Sequence, residues 1–123
     1  MIWDEWRGSL DGRPTMWVKF FLKRSWLQVA LHKFIAADDP DCFHSHPAVA
    51  IRVILWGGYY EEIWNKTAWR LWMPGMIGLV RPALCHRIAG LRRSASYSLW
   101  IRFRKVAEVQ LYGAGWDRQR GRA

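Results

Sequence analysis

Cysteine is scarce: Cys42 and Cys85 are the only two in the chain, and neither belongs to a Cys-x-x-Cys pair. A disulfide framework is not indicated, and the pattern suits a reducing, cytoplasmic setting. Each thiol does stand beside a histidine, Cys42 two residues before His44 and Cys85 directly before His86, which leaves their meeting near a common site open. Long apolar runs are missing too, since none approaches the roughly 20 residues that a membrane span needs. The N-terminal stretch MIWDEWRGSL carries acids where a signal peptide carries bases, so a soluble intracellular protein without a membrane partner is expected. Acids are few, 10 against 19 lysines and arginines, for a net charge of +9. Such a surplus favours an acidic small molecule, phosphate or an acidic surface without specifying nucleic acid. Apart from Arg92-Arg93 and the tail Arg118, Arg120 and Arg122, the bases are dispersed, as on an ordinary solvated surface.

What is plentiful is bulky apolar material. Of the 123 residues, 51% are hydrophobic and ten are tryptophan, enough for one modest core and too short a chain for two ordinary domains. Short apolar runs separated by Gly, Pro, Asp or Asn set the rhythm of an all-β domain. MWVKFFLK (16–23), LQVALHKFI (27–35) and AIRVILW (50–56) read as strands, with ADDPD (37–41) and Gly57-Gly58 as turns. YYEEIW and AWRLW flank NKT as a hairpin, and MPGMIGLVRP gives a turn, a short strand and a proline stop. In SYSLWIRFR (96–104), Tyr97, Leu99, Ile101 and Phe103 face one way and Ser98, Trp100, Arg102 and Arg104 the other. A last strand is expected over VAEVQLY, and a weak helix in the first ten residues, with Ile2, Trp3 and Trp6 on one side.

About eight or nine short strands cannot leave every edge open without inviting aggregation, so a closed barrel or two-sheet jelly roll is the economical fold. The expected division is an extension with the first strand over 1–26, a barrel over 27–112, and a flexible basic tail over 113–123.

Two of the four histidines form His44-Ser45-His46. On a strand such a pair points to one face, about 6.6 Å apart along the chain, within reach of one ion. A third ligand is needed, and His86, which follows a turn and opens a strand, is the candidate.

HSHPAVAIRVILWGG is similar to the first motif of the cupin superfamily, an HxH pair before an apolar strand ending in glycine. PGMIGLVRPALCHRI resembles the second, with Gly75, Pro82 and His86 at nearly the expected spacing. The resemblance covers roughly residues 27–105 and implies a single-domain cupin-like jelly-roll β-barrel, often dimeric. LHKFIAADDPDCFHSHP, ILWGGYYEE and HRI also look like a group of small cupin-like proteins often encoded by phages and prophages. Two family features are replaced: Ala50 stands where a glutamate usually follows the HxH pair, and Arg87-Ile88-Ala89-Gly90 lacks the asparagine after the last histidine.

The resemblance therefore implies a three-histidine centre of His44, His46 and His86 for a divalent transition metal such as iron, zinc, manganese or nickel. Positions would be left for water, substrate, a carboxylate from Glu61 or Glu62, or the imidazole of His32. Against these stand plainer readings: a satisfied interior position or a second-sphere role for His32, a solvated hairpin strand for the glutamates, core packing for Tyr59 and Tyr60. Glu61 and Tyr59 are the candidate catalytic groups. Arg52, Arg102 and Arg104 lie on strands and either face solvent or reach an anion in a cavity. Trp17, Trp26, Trp56 and Trp100 are expected to fill the barrel more than to stack on bases. Two functions compete, a metal-dependent oxygenase or isomerase acting on a small acidic substrate, and a non-catalytic accessory or counter-defence protein binding an acidic ligand, nucleic acid or a host protein.

Overall fold

Strand alternation appears directly as buried and open positions. In β5 (Ala50–Trp56), Ala50, Arg52 and Ile54 are buried while Ile51 and Val53 are half covered; in β6 (Tyr59–Ile63), Tyr59, Glu61 and Ile63 are buried and Tyr60 is exposed. A computed structural model describes residues 2–8, 12–38, 42–64 and 69–112. The turns expected at Asp39–Asp41 and Asn65–Thr67 and the basic tail at 113–123 lie outside the described residues.

The remaining elements are β1 (Glu5–Gly8), β2 (Pro14–Lys23), β3 (Leu27–Phe34), β4 (Phe43–His44), β7 (Trp69–Trp72), β8 (Ile77–Val80), β9 (His86–Leu91), β10 (Ser96–Phe103) and β11 (Leu111–Tyr112). They form a six-stranded sheet, β1-β2-β3-β10-β5-β8, and a five-stranded sheet, β11-β4-β9-β6-β7. From β4 onward the chain passes repeatedly between the sheets, the winding of a jelly roll. Gly57 and Gly58 carry it from β5 to β6 at φ of 82° and 83°. A Cβ on Gly57 would lie 2.1 Å from the Ala95 carbonyl oxygen, and one on Gly58 2.2 Å from that of Trp72, so no side chain fits this corner.

The core lies between the sheets. Ile54, Tyr59, Trp72 and Ile88 form one cluster, Met16, Val18 and Ala30 another, and Phe34 packs against both. Burying each of the larger groups is worth about 1.5–3 kcal/mol.

Several local expectations are corrected. No helix occurs among the described residues; the start of the chain is the edge strand β1, which pairs with β2 through Trp6↔Trp17. Of VAEVQLY, only Leu111–Tyr112 is strand. The tryptophans mostly do not fill the barrel: Trp26 lies between strands and is exposed, Trp56 is exposed, and Trp17 packs against Trp6 on the outside. Of the four expected there, Trp100 does face the interior, and Trp72 adds further bulk.

The six-stranded sheet is apolar on its outer face as well. The register aligns Leu79, Ile51, Ile101 and Val29 in one outward row, and Ile77, Val53, Leu99 and Leu31 in the next. Among the described residues, no helix is long and apolar enough to cross a membrane.

Candidate metal centre

β4 is only two residues long, yet its register sets the site. His44 sits directly opposite His86, the first residue of β9, and Ser45 is fixed on the other side by exchanging hydrogen bonds with Gln110, its N–H to the carbonyl and its hydroxyl accepting the Gln110 N–H. His46 follows one residue later, its N–H donating to the Pro82 carbonyl at 3.4 Å. The three rings form a nearly equilateral triangle, with centroids 5.1 Å (His44–His46), 5.0 Å (His44–His86) and 4.8 Å (His46–His86) apart.

One ring nitrogen from each lies within 4.8 Å of the others, and the Nε2 atoms of His46 and His86 are 2.7 Å apart. A zinc-like ion holds imidazole nitrogens at about 2.0–2.1 Å, which separates neighbouring ligand nitrogens by about 3.0–3.4 Å. The observed spacings bracket that range, so the three side chains fit one ion.

A buried network supports His86. Its Nδ1 hydrogen-bonds the Glu61 carboxylate, which leaves Nε2 facing the triangle. Glu61 is 0% exposed and also receives Arg52 through both terminal nitrogens, at 2.6 and 3.1 Å, and the Trp72 indole N–H at 3.2 Å. The Arg52 guanidinium lies 3.8 Å from the centre of the Trp72 ring and donates to the Tyr59 hydroxyl at 3.1 Å. A buried carboxylate and a buried guanidinium thus neutralise each other, as burial of either requires, although Arg52 Nε has no hydrogen-bond partner among the described residues.

Electrostatics keep two of the ligands neutral. Desolvation, then the neighbouring His86, pushes His44 down to about 3, and the same causes take His46 to about 2. Desolvation alone would raise Glu61, but hydrogen bonds from His86 and Arg52 hold it well below its ordinary range. Burial raises the Tyr59 hydroxyl to about 12. Neutral imidazoles with an anchored ring are the form that binds a metal.

The triangle opens on a cavity of about 590 Å³, walled by β10 residues Ser98, Trp100 and Arg102 and by His32, Tyr59 and Arg52. His32 stands apart from the triangle and stacks on Trp100 at 5.3 Å, while Trp100 packs 5.3 Å from His46. Desolvation drives His32 down to about 3.

The structure therefore brings His44, His46 and His86 together, with Tyr59 on the cavity wall and Glu61 behind His86. Glu61 is not on a solvated hairpin face; Glu62, one residue on, takes the outer side and pairs with Arg87 at 2.7 Å. Arg52 is engaged by Glu61 and Tyr59, Arg102 lines the cavity, and Arg104 lies beyond β10 and is exposed. Trp72 was not anticipated, and neither was the pairing of Arg52 with Glu61. The signal for that pair was parity: Arg52 alternates with Ala50 and Ile54, so it points inward and requires a buried anion.

No family model matches the chain, and no curated protein matches it in sequence. Solved structures do. A cupin-like protein from Thermotoga maritima aligns with 80% of this chain and 76% of its own at 18% identity and a TM-score of 0.61. The DMSP lyase DddQ of Ruegeria pomeroyi aligns with 90% of this chain and 58% of its own, at 17% identity and a TM-score of 0.65. The iron(II) form of HppE aligns over 76% and 52%, at 15% identity and 0.62. At these identities the likeness is one of fold: the chain is a jelly roll of the cupin kind, with three imidazoles converging on its cavity.

Proposed function

We propose that His44, His46 and His86 hold a divalent transition metal whose remaining positions face the cavity, and that the protein uses it on a small acidic substrate. The observation that carries this is the convergence of the three rings at a cavity wall, with His86 backed by a buried carboxylate. The iron(II) structural neighbour lends support to a metal-dependent activity. When bound, the ion supplies Lewis acidity, or redox chemistry if it is iron.

The protein's own groups orient and protect. Glu61 keeps a proton on Nδ1 of His86 and so keeps Nε2 a lone-pair donor, and Arg52 with Trp72 fixes that carboxylate in place. Tyr59 accepts from Arg52, stays protonated at neutral pH, and has its own O–H to offer a ligand in the cavity. Glu61 and Tyr59 thus serve as a positioning residue and a proton donor respectively. Val18, Phe34 and Ile88 line the cavity beside these groups and limit water there.

Cobalt(II)-loaded protein titrated with azide tests the open positions. A change in the visible spectrum that saturates supports an accessible centre. An unchanged spectrum with cobalt bound means a closed, structural ion and favours a non-catalytic binder.

The proposal extends to pairing of two copies through the outer face of the six-stranded sheet. Two copies of a chain with net charge +9 repel, but those aliphatic rows offer a self-complementary contact without charge. Light scattering should give a dimer that Leu99→Arg converts to monomer; a monomeric parent protein ends this part. A reducing cytoplasm suits the buried cysteines Cys42 and Cys85, and an origin in phage or prophage rests on the motif likeness alone.

A further inference from the structure

Four cations line the cavity, and three are engaged. Arg52 is held by Glu61 and Tyr59, Arg7 lies 4.0 Å from Glu5, and Lys23 sits 4.4 Å from the centre of the Phe20 ring. Arg52 and Arg102 each bury an Nε without a hydrogen-bond partner, but Arg52 has Glu61 on its terminal nitrogens, whereas no ion pair reaches Arg102 among the described residues. On the same strand face, Ser98 is 2% exposed, and its hydroxyl is also without a partner. Native interiors seldom leave such groups unsatisfied, and where they do, a ligand or ordered water is the usual complement.

Ser98, Trp100 and Arg102 alternate on β10, so they follow one another along the cavity wall at about 6.8 Å per step. Trp100, the middle one, packs 5.3 Å from His46. The unclaimed guanidinium is therefore one step along the wall from the point beside the imidazole triangle.

We infer that Arg102 is the carboxylate-binding residue of this cavity, with the Ser98 hydroxyl as a further polar contact. This rests on the proposed metal site for the other end of the ligand. The class of molecule it takes is a small carboxylic acid with a second oxygen or nitrogen donor a few atoms away, one end on the Arg102 fork and the other at the histidines. A carboxylate matches one guanidinium through two parallel hydrogen bonds. A phosphate dianion asks for a second cation close to the first; Arg7 and Lys23 also line the cavity, on β1 and β2, so phosphate is the competing ligand that the titration separates. The acids nearby are also taken: Asp38 accepts the Ile88 N–H at 2.7 Å, and Glu5 faces Arg7. The cavity thus offers a carboxylate one open partner.

The test is calorimetric titration of zinc-loaded protein with succinate, with glutarate, with acetate and with inorganic phosphate. The dicarboxylates should bind, and Arg102→Gln should weaken the better of them at least tenfold while leaving zinc content unchanged; Ser98→Ala should weaken it by a smaller factor. Arg102→Lys, which keeps charge but not the fork, should fall between, and it replaces Arg102→Gln if that variant does not fold. Equal affinity in the parent and the Arg102 variant overturns the inference, and so does phosphate binding as tightly with the same dependence on Arg102. If the parent retains no zinc, the metal reading fails separately. Succinate binding to the metal-free protein then decides: loss in Arg102→Gln supports the carboxylate site, and no difference overturns it.

Discussion

The Glu61 carboxylate accepts the Nδ1 proton of His86 from behind, so that the opposite nitrogen of the ring faces His46 at 2.7 Å. A glutamate of this chain thus serves the metal triangle without entering it. Outer partners of this kind set ring orientation and tautomer, and their loss typically costs 10–100-fold in metal affinity. Glu61→Gln keeps the shape and removes the charge. It is expected to weaken zinc binding by about that factor in a chelator competition. It also strands the Arg52 guanidinium, at a cost of about 3–5 kcal/mol in stability. A Glu61→Leu, Arg52→Met double variant should recover stability and still bind metal weakly. Full metal affinity in the double variant would show that Glu61 does not act through His86.

Acid should destabilise the metal-free protein in two stages. His32, His44 and His46 are held neutral by burial, with values of about 3, 3 and 2 against the ordinary 6.5. The unfolded chain takes up those protons near pH 6.5 and the folded chain does not. Stability is therefore complete above pH 6.5 and declines as pH falls toward 3, at up to about 1.4 kcal/mol per pH unit for each histidine. Glu61 adds a second loss: its folded value lies below the ordinary 4.5, so its contribution is present above pH 4.5 and fades below it. Urea midpoints should be level from pH 8 to 7 and fall steadily from 6.5 to 5. Midpoints that stay flat down to pH 5 would mean the histidines are not buried as described.

The corner at Gly57 should tolerate no side chain. Gly12 and Gly57 have nearly the same φ, 84° and 82°, but a Cβ at Gly12 meets nothing within 4 Å, whereas at Gly57 it meets the Ala95 carbonyl. Gly12→Ala is expected to cost only the left-handed backbone penalty, about 1–2 kcal/mol. Gly57→Ala should cost clearly more, and should disturb β10 because Ala95 immediately precedes Ser96. Equal thermal shifts in the two variants would contradict the close approach at this corner.

The strands were legible in the sequence because alternation and turn residues coincide in β2, β3, β5, β8 and β10. His44, His46 and His86 were legible because spacing and order are local properties that survive without a fold. The role of Glu61 was not, since Glu61 and Glu62 are adjacent acids on a hairpin and only the register of β6 against β9 decides which enters the core. Trp17, Trp26 and Trp56 misled for a related reason: bulk suggests burial, but the inner face of β10 carries Ser98 and Arg102 beside Trp100, while Leu99 and Ile101 face outward. A strand whose polar face lines a cavity and whose apolar face points out inverts the usual inference from hydrophobicity. The first ten residues suggested a helix because Ile2, Trp3 and Trp6 can share one, yet pairing of Trp6 with Trp17 across β1 and β2 prevails.

Metal content by mass spectrometry, after dialysis from a mixture of iron(II), zinc, manganese and nickel, tests the three-histidine centre most directly. One ion should remain per chain in the parent protein and in His32→Ala, and be lost in His44→Ala, His46→Ala and His86→Ala, each still folded by circular dichroism. A parent protein that retains no ion, or a His86→Ala variant that retains a full complement, would contradict it.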